Sequence, residues 1–117
     1  MKIATLCIPA NLPRPHAGAT PVPYTSGKID ALELALAKVA PIVLRGANVV
    51  RLTDDPNGRF VGQQIIVPYT LAASGDLQLI EAISIAFNTL GLKTLMVLTE
   101  DGPVEFGVDE IGEVYAL

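Results

Sequence analysis

The sequence predicts an α+β domain: a two-layer split β-α-β, ferredoxin-like sandwich with a C-terminal β-hairpin added. Three observations carry that expectation. Half of the 117 residues are apolar and 17% are charged, against roughly a quarter charged in typical soluble domains, so the chain can bury enough surface to offset its ordering entropy. Short apolar runs with strand character alternate with two longer stretches at helical spacing. The resulting order, β-α-β-β-α-β and then a hairpin, is the split β-α-β plan, in which right-handed crossovers put both helices on one face of the sheet. A three-layer α/β domain is the rival, and two helices are too few to build it easily.

Each element has its own signal. Residues 2–8 are apolar on both faces and read as a central strand. Residues 9–27 form a long loop holding Pro9, Pro13, Pro15, Pro21 and Pro23. Helix one is expected from Ser26 or Gly27 to just before Pro41, with Ser26 as its N-cap. Ile29, Leu32, Leu36 and Val39 form its apolar stripe, and Lys38 suits the negative end of the helix dipole. Pro41 disfavours helix at Ala40.

Residues 42–44 and 48–53 read as extended, with a bulge or bend at Gly46. Asp54-Asp55-Pro56-Asn57-Gly58 signals a hairpin, and residues 59–67 form the return strand, limited by Pro68 to an edge or to its last residue. Helix two is capped by Ser74, carries Asp76 in its first turn and stops at Gly91. Its stripe is Leu79, Ile80, Ile83, Ala86, Phe87 and Leu90, with Leu77 and Ile85 off it. Residues 93–99 are another strand apolar on both faces. Glu100-Asp101-Gly102-Pro103 is a turn, and residues 104–108 and 111–116 pair as the final hairpin.

Charge and composition exclude several functions. Residues 1–93 hold eight basic and six acidic groups, whereas residues 94–117 hold six acidic groups and none that is basic. The basic residues are scattered rather than clustered, which argues against nucleic acid and against an anionic membrane surface. No run of 18 apolar residues exists for a membrane helix. The N-terminal apolar run ends at Pro9, too short for a secretory signal. The single cysteine, Cys7, excludes a disulfide scaffold. A cytoplasmic location is the expectation.

The candidate ligand site is the 9–27 loop. It leaves the end of a central strand and enters a helix N-terminus, whose free amides favour an anion. Arg14 can grip a carboxylate or phosphate in a bidentate contact. His16, the only histidine, is the candidate general acid or base. Tyr24, Ser26, Gly27 and Lys28 complete the ligand-binding set. A Pro-rich surface loop, or an arm on a neighbouring subunit, explains the same residues without a ligand.

Weaker candidates fall away on their patterns. Gly27-Lys28 fails as a phosphate loop, because Val22 and Ile29 stand where Gly and Ser or Thr belong. The 53–64 stretch fails as a calcium loop, because Thr53 and Gln64 replace two essential carboxylates. The acidic tail reads as a solvated edge, with Glu105 and Glu113 facing outward. Cys7 reads as a core thiol, and a Cys7–His16 pair is the reactive alternative. No cofactor or metal is implied.

One expectation links these features. The strands at 3–8 and 94–98 are apolar on both sides, and two helices cover only one. An uncovered apolar face of several hundred Å² is rare in monomers. The chain is therefore expected to be a homo-oligomer that acts by association, with a small anionic ligand at the Pro-rich loop. Two alternatives stand beside it. One is a small enzyme using His16, with Arg14 and Lys28 as an anion clamp. The other is a structural subunit of a larger assembly.

Overall fold

The computed structural model describes residues 1–12, 19–53 and 62–117. Its elements run β1 (Lys2–Pro9), α1 (Ser26–Val39), β2 (Ile42–Arg45), β3 (Val49–Thr53), β4 (Gly62–Ala73), α2 (Asp76–Leu90), β5 (Thr94–Thr99), β6 (Gly102–Val108) and β7 (Val114–Ala116). The seven strands form one sheet in the order β2-β4-β1-β5-β6-β7, with β3 also on β4. Every pairing is antiparallel. Strand β4 separates β1 from β2, and β1 separates β4 from β5, so the architecture is α+β and compatible with a split β-α-β layout. The strand order nevertheless differs from a four-stranded ferredoxin-like sheet. A second segment, β3, lies on β4, and the terminal hairpin is part of the sheet, with β6 paired to β5 and β7 to β6.

The β2–β3–β4 edge explains how a proline fits inside the sheet. The Ile42–Arg45 pairs with β4 and the Val49–Thr53 pairs differ by one residue in register, so the segment between them is a β-bulge. The amide of Gly46 donates to the Pro68 carbonyl over 2.7 Å. In an antiparallel strand a residue's N and O face the same neighbour, so the missing N–H of Pro68 also points at the bulge. Strand β4 therefore runs through Pro68 to Ala73, between β1 and the β2/β3 edge. Confinement of Pro68 to an edge or a strand end does not hold, because the bulge absorbs the absent donor. A Cβ at Gly46 would lie 2.9 Å from Pro68 Cγ, which accounts for glycine there.

Both helices end as their sequences dictate and begin one residue away from the expected caps. Thr25, not Ser26, caps α1: its backbone is extended, and its side chain accepts from the Lys28 amide at 3.3 Å. Ser26 is already helical. Gly75, not Ser74, is the N-cap of α2 and offers no side-chain hydrogen bond. Its carbonyl accepts from Leu79 N, and Asp76 in the first turn supplies the favourable charge, 3.7 Å from Lys2 Nζ. At the far ends, Ala40 closes α1 ahead of Pro41. Gly91 closes α2 at φ 64°, a conformation costly for residues with a Cβ.

One layer of helices makes one core. Ala4, Leu6 and Ile8 of β1, Val67, Tyr69 and Leu71 of β4, and Leu95 and Val97 of β5 are buried with Leu32 and Leu36 of α1 and Ala82, Ile83, Ala86, Phe87 and Leu90 of α2. The α2 stripe is shifted from its expected position. Ala82 is fully buried while Ile80 is exposed, and Ile85 packs at the core's margin. The last hairpin closes on Asp109, whose Oδ1 accepts from the amides of Ile111 and Glu113.

Candidate functional site

The loop that carries the expected ligand set is described on both sides of its middle. Arg14 and His16 lie outside the described residues. The flanks draw together through a bridge between Asn11 and Pro23, with the Leu12 amide donating to the Val22 carbonyl over 2.7 Å. Tyr24 is buried in the core. Its hydroxyl has no hydrogen-bond partner among the described residues, and burial raises its pKa above the ordinary phenol value. Ser26, Gly27 and Lys28 are exposed on the first turn of α1, and no atom approaches within 4 Å of a Cβ built on Gly27. Of the four described members, Tyr24 is thus turned inward while the other three face solvent. The hairpin expected around residues 54–58 also falls outside the described residues, although Thr53 and Gly62 on its two sides are paired.

A second polar group ties α1 to the sheet. The hydroxyl of Tyr69, buried at the centre of β4, donates to Glu33 Oε1 of α1 at 2.7 Å. Arg45 Nη1 of β2 lies 3.6 Å from the same oxygen. Burial, the hydrogen bond to Glu33 and the charge of that carboxylate push the Tyr69 phenol up to about 12, against a smaller opposing pull from Arg45. A phenol held protonated in this way is a structural tie, since it has no proton to exchange near neutral pH.

The most exposed apolar feature of the sheet lies on the side away from both helices. The helix-side residues of the central strands are Ala4, Leu6 and Ile8, then Tyr69 and Leu71, then Leu95 and Val97. By alternation, the other side carries Ile3, Thr5 and Cys7 of β1, Ile66, Pro68, Thr70 and Ala72 of β4, and Met96 and Leu98 of β5. None of these belongs to the core cluster, although Ile66 and Ala72 are buried. Ile3 is 54%, Leu44 62% and Leu98 46% exposed, and Ile42 and Val49 add to the surface. Between them stand polar groups, including a Thr5–Thr70 hydroxyl pair at 3.0 Å.

Cys7 occupies the middle of this open face and is half-buried rather than a core thiol. Burial raises its pKa above the ordinary thiol value, with Arg51 pulling it down and Glu105 pushing it up. A raised pKa reduces the thiolate and opposes nucleophilic use. Glu105 lies on the side of β6 away from the helices, but its Oε2 is buried without a hydrogen-bond partner among the described residues, so this carboxylate is not the solvated group expected of the acidic tail. The placement of Arg51 on this face was hidden in the sequence, because the bulge at Gly46 resets which residues of the edge strand point which way.

Among the described residues, no three His, Cys, Asp or Glu side chains gather to hold a metal ion, and no helix is long and apolar enough to cross a membrane. Comparison with known proteins returns no match among family models, curated sequences or solved structures.

Proposed function

We propose that this chain is a cytoplasmic homo-oligomer that works by association, and that the open face of its sheet is where copies meet. The observation that carries this reading is the exposure of Ile3, Leu44 and Leu98 on one side of a sheet whose two helices pack on the other. A fully buried Leu or Ile side chain contributes roughly 1.5–3 kcal/mol relative to water, so several half-exposed ones on one plane retain a large unrealised gain. The low charge density of the chain acts in the same direction. The interleaving of β2, β4, β1 and β5 supports a ferredoxin-like core, a plan with one sheet face free of helices.

A small anionic ligand at the Pro-rich loop remains part of the reading, gathered by Arg14, Ser26, Gly27 and Lys28, whereas Tyr24, expected to join them, is buried in the core. Nothing in the positions of the four described members favours an enzyme built on His16 over a binding role. Sedimentation equilibrium of the full chain at micromolar concentration tests the reading. The expected result is a mass above 12.3 kDa that rises with concentration. A constant 12.3 kDa mass overturns it.

A further inference from the structure

We draw no further inference here: the strongest candidate, the cross-strand row of Cys7, Met96 and Glu105 on the sheet face away from the helices, rests on a lone cysteine, since Glu105 adds one unpartnered buried oxygen on a side chain that is itself only partly buried and no second observation at the row points to a ligand.

Discussion

The two faces of the sheet draw on the same strands and meet different surroundings. On the helix side, Leu6, Ile8, Leu71 and Val97 are fully buried. On the other, Ile3 and Leu98 of two of those strands remain about half exposed. Their residue content differs in a telling way. The covered face is apolar at its centre, where the Tyr69 hydroxyl is held in a 2.7 Å hydrogen bond to Glu33, and carries Lys2 and Arg45 at its margins against Asp76 and Glu33 of the helices. The open face mixes Ile, Leu and Val with Thr5, Thr70, Arg51 and Glu105. Two helices of 14 and 15 residues pack on one side of the sheet only, and the second side is left with a mixture of exposed Ile3, Leu44 and Leu98 and buried Ile66 and Ala72.

The largest effect that separates the faces is a truncation on each. Leu6→Ala removes a side chain with no exposed surface and should cost about 3–4 kcal/mol in urea unfolding, from lost transfer energy and the cavity left behind. Leu44→Ser, on the open face, should change the stability of the unassembled chain by less than about 0.5 kcal/mol. Equal losses at the two sites would mean that the chain covers its own second face.

A smaller effect concerns the tie beneath α1. Tyr69→Phe removes the donor to Glu33 and should cost about 1.5 kcal/mol. It should also change the alkaline limb of stability. Because the folded pKa of about 12 lies above the ordinary value of 10, the folded state keeps a proton that the unfolded chain releases. The stabilisation is therefore complete below pH 10 and is lost as pH rises towards 12. Thermal melts in that window should fall more steeply for wild type than for Tyr69→Phe, and parallel falls would contradict the assigned hydrogen bond.

Much of the covered face was legible in the sequence, and less of the open one. The 3-4-3 spacing of Ile29, Leu32, Leu36 and Val39 located α1, and Gly91 and Pro41 located two helix ends, because these signals are local. Apolar residues on both sides of β1 and β5 also pointed to a second surface. The course of β4 was not legible. A proline reads as a strand breaker until the partner strand's bulge at Gly46 is known, and that partner lies some twenty residues earlier. The caps slipped by one residue because Thr25 and Ser26, like Ser74 and Gly75, are neighbouring residues that both suit the role. Which way Arg51 points, and so the charge layout of the open face, depends on the same bulge. The candidate loop was read from residue types alone, and its central pair, Arg14 and His16, lies outside the described residues.

The smallest expected effect is chemical. Cys7 sits in the middle of the open face, half-buried and with its pKa raised by burial. Alkylation should be slow at neutral pH. It should become faster on dilution, as copies separate and the thiol gains access to reagent. A rate independent of protein concentration would place Cys7 away from any contact between copies.

The most direct measurement is the solution mass of wild type beside L44K/L98K, which plants two charges on the open face and leaves the helix side untouched. Light scattering at micromolar concentration should give twice 12.3 kDa for wild type and 12.3 kDa for the variant, with the same circular dichroism spectrum for both. Equal masses for the two proteins, monomeric or assembled, would contradict the claim that this face is where the chain meets its copy.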